Sequence, residues 1–374
     1  MANIFDYLKW RGDVPFSADP FNAIDNLILA ELAYVDFGGI LNDSFRKISL
    51  KTVDERFFKT HSRSEAEKSK DHIERAPLLM DGMLSGGRFR DTKLVKYVNI
   101  VNADKDMQIA AVTYLLNDGS AYVAFRGTDS TIVGWKEDFN MSYLPDTEGQ
   151  RSAVRYLNEV GAKHKGPIWV GGHSKGGNFA VYAAAFCREE VQDRIVKVYT
   201  NDGPGFRDEV MSRKGYQSIL PRVVSVIPDT SILGMLLASK VKHIVVKSSE
   251  NGIAQHDVFT WQLERNSFVT AKPSAFGTFI MNSQKDWLSK IDDESREMFV
   301  NTLFSLFEAT GADTFGEMKE NFFTSAERML STINELSRER QNEFKEIWGE
   351  LIQSSTQAVK DLLLDMMEQD HDRI

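Results

Sequence analysis

Between Lys93 and Arg126 the apolar positions fall into three runs, "KLVKYVNIVN", "QIAAVTYLLND" and "SAYVAFRGT", separated by "ADKD" and "NDGS". β-branched and aromatic runs bounded by such turn residues predict a meander of strands. From Pro167 to about Ser249 the pattern changes. A short unbroken apolar run, "PIWVGG", leads into the alanine-rich, helix-length "GGNFAVYAAAFCREEVQ", and "IVKVYTND", "PRVVSVIPD" and "VKHIVVKSS" follow. Strands with little polar alternation, spaced by helix-length connections, predict a parallel sheet covered on both faces. In such sheets ligands bind outside the carboxyl ends of the strands.

Helical patterns flank this centre. Asp19-Pro20 reads as an N-cap with proline in the first turn, opening a helix through "FNAIDNLILAELAYVDF". "HSRSEAEKSKDHIERAPLL" is charged and helix-compatible. After about Asn282 the β character stops, and Thr314-x-x-Glu317 fits a capping box. Phe322, Phe323, Ala326, Met329, Leu330 and Ile333 then recur at helical spacing, as do Phe344, Ile347, Trp348, Leu351 and Ile352. The expected organisation is an α/β region over 1–284 that includes N-terminal helices, and a helical C-terminal region over 285–374. The C-terminal stripes are candidates for packing on that body, on each other, or on a second subunit as a homodimer.

The chemistry centres on Gly172-His173-Ser174-Lys175-Gly176, a G-x-S-x-G elbow at the passage from strand to helix. A serine hydroxyl needs a base, and the base needs an orienting acid. Two histidines lie between Val191 and Ser283. His243 sits within a strand-like run, whereas His256, in "NGIAQHDVFTW", occupies loop-like sequence and is the candidate base. Two acids end strands. Asp229 ends the second strand after the elbow, the usual place for the acid in this kind of fold, and is the preferred candidate. Asp202, followed by Gly-Pro-Gly, reads as a cap or turn, and Asp257 ranks third. The backbone N–H of Lys175 sits where an oxyanion hole needs a donor, with a second donor expected from Thr128 at the end of "YVAFRGT". Ile132, Val133 and Trp135, with Leu233 and Leu236 of "SILGMLLASK", are candidates either for an acyl pocket or for core.

Phe125-Arg126-Gly127-Thr128, Trp135-x-x-Asp138 and Gly172 through Gly177 together resemble the class 3 lipases over roughly residues 95 to 260. The likeness is greatest to a bacterial branch of lipase-like hydrolases with a GHSKGGN elbow. The resemblance implies an α/β-hydrolase fold with Ser174 as nucleophile and Thr128 as oxyanion residue. It also implies a lid over about Asp129 to Trp135.

Composition narrows the setting. The 374 residues carry 45 basic and 54 acidic side chains, a net charge of −9 that argues against nucleic acid as partner. Cys187 is the only cysteine, so no intramolecular disulfide forms, and a reducing, cytoplasmic setting is expected. "MANIFDYLKWRGDVPF" lacks the apolar core of a signal peptide, and no apolar stretch is long enough for a transmembrane helix. No His/Cys cluster indicates a metal, and no cofactor is expected. The expected function is therefore a serine ester hydrolase acting on acyl-lipid or other hydrophobic esters. The alternative is a non-catalytic hydrolase-fold scaffold that works through its C-terminal helices.

Overall fold

The computed structural model describes residues 2–231, 234, 237–274, 277–278, 290–350 and 353. An eight-stranded sheet runs in chain order: β1 Ile48–Ser49, β2 Lys93–Asn102, β3 Met107–Leu115, β4 Ala121–Phe125, β5 Ile168–His173, β6 Ile195–Asn201, β7 Val223–Pro228 and β8 His243–Val246. β1 to β4 pair antiparallel, giving the expected meander, and β4 to β8 pair parallel. This mostly parallel sheet, flanked by helices and carrying a serine elbow after β5, is an α/β-hydrolase fold.

The period-two alternation of strand side chains divides the core into two layers. Val123 and Phe125 face the helices Glu148–Lys163 and Lys175–Phe186, together with Ala111, Val170 and Val198. Tyr122 and Ala124 point the other way, with Val112, Tyr114 and Tyr199, against the N-terminal helices. Adjacent parallel strands joined by crossovers of one hand stack their helices on one face. The opposite face needs a separate cover, and the N-terminal segment supplies it through Ile24, Leu27, Ile28 and Leu32.

The helix expected to open at Asp19-Pro20 starts later, spanning Ala23–Leu32. Asn22 is its N-cap and closes a capping box with Asp25, whose carboxylate also pairs with the buried Arg88 guanidinium (Nε–Oδ1 2.7 Å). Asp19 is instead engaged in an ion pair with Arg11. Local capping chemistry at Asn22 therefore outcompetes the Asp-Pro signal.

The C-terminal region is mainly helical where described and includes the helix Asp293–Glu308. Phe299, Val300 and Phe304 pack on Ile132, and Phe304 meets Phe139 edge to face at 5.7 Å. At Thr314 the side chain caps Glu317 N, while the Glu317 carboxylate accepts from Asp313 N. The capping box is thus displaced by one residue on its return arm.

Candidate active site

Ser174 occupies a left-handed backbone conformation, φ 56° and ψ −135°, between the end of β5 and the helix Lys175–Phe186. A non-glycine residue pays roughly 1–3 kcal/mol to sit in such a region. The surroundings impose it. A Cβ on Gly172 would lie 2.4 Å from the Phe125 carbonyl oxygen, and one on Gly176 would lie 2.0 Å from the same atom. β5 and the elbow helix therefore press against β4 with no room for side chains, and the serine is thrust out at the turn.

Ser174 and His256 line one cavity of about 300 Å³, together with Tyr34, Asp71, His72, Ile73, Thr128, Trp135, Asp138 and Pro204. His256 ends a short 3₁₀ turn, Gly252–His256, in the connection after β8. Its Nδ1 lies 2.6 Å from Oδ2 of Asp202, a carboxylate buried to 1% exposure. The carboxylate accepts the Nδ1 proton, so Nε2 is left with its lone pair.

The carboxylate that meets His256 is thus Asp202 and not the expected Asp229. Asp229 does not reach His256; its Oδ1 accepts from Gln255 Nε2 at 2.7 Å. The reason lies in the register. Gly172 pairs with Thr200 and His173 with Asn201, so the residue after β6 lies directly beside the residue after β5. Ser174 N donates to Asn201 O at 2.9 Å, and Asp202, like Ser174, has positive φ, at 50°. The Ser231 hydroxyl donates to the other carboxylate oxygen, Oδ1. Asp257 caps Phe259 N and pairs with Arg75 at 3.7 Å. His243 bonds Ser225 Oγ from β8 (2.8 Å), outside this cavity.

His173 is not singled out by the sequence, yet it holds the backbone of His256. Burial pushes its pKa well below the usual histidine value, so the ring is neutral. Its Nε2 faces the carbonyl of His256 at 2.9 Å and must donate there, which leaves Nδ1 to accept from the Tyr34 hydroxyl at 2.9 Å. The rings of His173 and His256 lie 4.3 Å apart.

On the opposite side, the backbone N–H groups of Thr128 and Lys175 carry no intrachain hydrogen bond among the described residues. The Thr128 hydroxyl donates to Asp138. Burial raises the Asp138 carboxyl to about 6, although the charge of Lys175 holds it down. The Lys175 side chain is fully buried, with Nζ 3.3 Å from the equally buried Glu137 carboxylate and 3.2 Å from Gly134 O.

The remaining predicted pocket residues separate. Trp135 lines the cavity, whereas Ile132 is buried against the C-terminal helices and Val133 does not line the cavity. Leu233 and Leu236 lie outside the described residues. The segment expected to form a lid is tied down at its end: Thr131 caps the helix Ile132–Asn140, and Ile132 N donates to Asp313 O at 3.0 Å.

Glu31, His72 and His173 place potential ligand atoms within 4.8 Å of one another. Both ring nitrogens of His173 are already hydrogen-bonded, so the set lacks a free third donor. His72 Nδ1 bonds Glu31 Oε1 at 2.8 Å. Burial opposes charge on this ring, but the Glu31 carboxylate outweighs it and raises His72 to about 8. In Glu31→Gln the largest of the influences that oppose burial is lost, leaving Asp257 and Asp71. The His72 midpoint followed by NMR should fall below about 8.

A single class of protein fits this arrangement of sheet, elbow and strand-end residues, the α/β-hydrolase fold. The family model for Mbeg1-like proteins matches residues 83–305, and the chain belongs to that family. No curated protein matches. Among solved structures, the chain is similar to M37 lipase at 15% identity and TM-score 0.37, covering 58% of this chain and 70% of that one. It is also similar to Rhizomucor miehei lipase in its propeptide complex, at 16% identity and TM-score 0.35, over 60% and 83% of the two chains. For a mutant form of MDLA from Penicillium cyclopium the values are 12% and 0.36, over 65% and 83%. Among the described residues no helix is long and apolar enough to cross a membrane.

Proposed function

We propose that the chain is a serine ester hydrolase using Ser174, His256 and Asp202. The observation that carries the reading is the buried Asp202–His256 pair lining the same cavity as a serine held at φ 56°. In the first step His256 Nε2 takes the Ser174 hydroxyl proton as Oγ bonds to the ester carbonyl carbon. Asp202 holds the ring and stabilises the imidazolium. The tetrahedral oxyanion is received by the N–H groups of Lys175 and Thr128 at the positive end of the elbow helix. Collapse breaks the C–O bond, and the His256 proton leaves with the alcohol. Water, deprotonated by the same nitrogen, then attacks the acyl-enzyme and returns Ser174.

The Thr128 hydroxyl is directed at Asp138, so this residue acts here through its backbone N–H and the hydroxyl fixes the loop. A cavity of about 300 Å³ lies at the small end of ligand sites. With Ile132 committed to the helical packing, this favours short or compact esters over long acyl chains.

The test is labelling with a fluorophosphonate and mapping of the adduct by mass spectrometry. The expected result is one adduct, on Ser174, absent from Ser174→Ala. An unlabelled wild type that also fails to hydrolyse p-nitrophenyl acetate and butyrate would sink the reading and favour a scaffold.

A further inference from the structure

The catalytic cavity has a wall made by the N-terminal layer, outside the stretch that the family model matches. Asp71, His72 and Ile73 line it beside Ser174 and His256, whereas the family match begins at residue 83. His72 is held there by a bond that fixes the ring. Nδ1 donates to Glu31, whose side chain is 0% exposed. The Tyr34 ring packs edge-on at 4.8 Å, and the His173 ring lies 5.7 Å away. This leaves His72 Nε2 without a hydrogen-bond partner among the described residues, although the side chain is 20% exposed and the residue lines the cavity.

A carboxylate buried within the helix Ala23–Leu32 is costly to keep, and an apolar side chain would fill the same space. Glu31 has one partner, and its second oxygen, Oε2, is buried without a hydrogen bond. Fixing and charging His72 is the physical role left to it. The neighbouring acidic groups have local partners. Asp71 caps Ile73 N, Asp129 engages Arg126 and Thr131, and Asp138 receives the Thr128 hydroxyl. The surrounding wall is Ile73, Trp135 and Pro204.

We propose that His72 is a substrate-contacting residue that sets specificity, with Nε2 hydrogen-bonding a hydroxyl group of the ester outside the scissile group. The acidic groups around the cavity disfavour an anion, so the partner is a neutral hydroxyl and the substrate class is a small hydroxylated ester. This rests on the serine-hydrolase reading above.

The experiment compares matched substrates. One pair, p-nitrophenyl butyrate and p-nitrophenyl 3-hydroxybutyrate, varies the acyl side. The other, butyl butyrate and 2,3-dihydroxypropyl butyrate, varies the leaving group. In wild type the oxygenated member of one pair should have the higher kcat/KM. His72→Leu should erase that preference by about tenfold, as expected for one lost hydrogen bond. His72→Gln, which keeps an N–H donor, should restore part of it. Fluorophosphonate labelling of Ser174 in both variants checks that the nucleophile is still assembled. A wild type without preference in either pair would overturn the proposal, as would a His72→Leu variant that loses activity equally on both members. Absent labelling of Ser174 in wild type would instead strike the hydrolase reading.

Discussion

Asp202→Asn is expected to lower kcat for ester hydrolysis by about 10⁴-fold with KM little changed, the loss typical of removing the carboxylate from such a triad. The hydrogen bonds decide how the loss occurs. The Ser231 hydroxyl donates to Asp202 Oδ1, so an asparagine keeps its carbonyl oxygen there and turns its NH₂ towards His256. That NH₂ occupies the place of Oδ2, now 2.6 Å from His256 Nδ1. Two donors cannot share one bond. The ring must take its proton on Nε2, and the lone pair that should receive the Ser174 proton is gone. Asp229→Asn meets a different environment, since Asp229 serves Gln255 outside the triad. It should change kcat by less than about fivefold, in the range of substitutions away from critical contacts. Measuring both variants on p-nitrophenyl butyrate separates the two acids. Equal losses, or a larger loss for Asp229, would contradict the assignment.

The sequence ranks Asp229 above Asp202, whereas the hydrogen bonds pair Asp202 with His256. Asp202 and Asp229 both end buried strands in the same style, and local patterning cannot rank them. Register and backbone conformation rank them: β6 lies next to β5, and Asp202 at φ 50° turns towards the loop that carries His256. Asn201-Asp202-Gly203 is a sequence that tolerates such a left-handed turn, and that was the available signal.

The elbow, by contrast, was legible because its constraint is local. Gly172 and Gly176 are required by backbone contacts within one turn of the serine. The strands from β2 to β8 were legible for a similar reason, as unbroken or alternating apolar runs. His72 and Glu31 were not, since their meeting with Ser174 depends on the N-terminal layer folding across the sheet. Ile132 reads equally well as pocket or core, and its use is decided by Phe299 and Phe304, more than 160 residues away in sequence.

The second large effect concerns stability. The sequence pointed to Lys175 only for its backbone N–H, yet its side chain forms a fully buried ion pair with Glu137. Glu137 belongs to the helix Ile132–Asn140 and also accepts from Gln108 N at 2.9 Å and Gly149 N at 2.8 Å. One carboxylate thus joins β3, this helix, the start of the helix Glu148–Lys163 and the elbow. Lys175→Met retains the backbone donor and most of the side-chain volume but leaves that carboxylate buried without its cation. Breaking a buried pair from one side costs about 3–5 kcal/mol. In a chain of this size that corresponds to a drop of roughly 5 °C in Tm. Adding Glu137→Gln removes the stranded charge and should recover about half of the loss, because the amide oxygen can still accept one of the two backbone N–H groups. The outcome is read from thermal unfolding followed by circular dichroism. A Lys175→Met protein as stable as wild type would mean that the pair adds nothing to the elbow. A double variant less stable than the single would mean that Glu137 holds its place through the backbone donors alone.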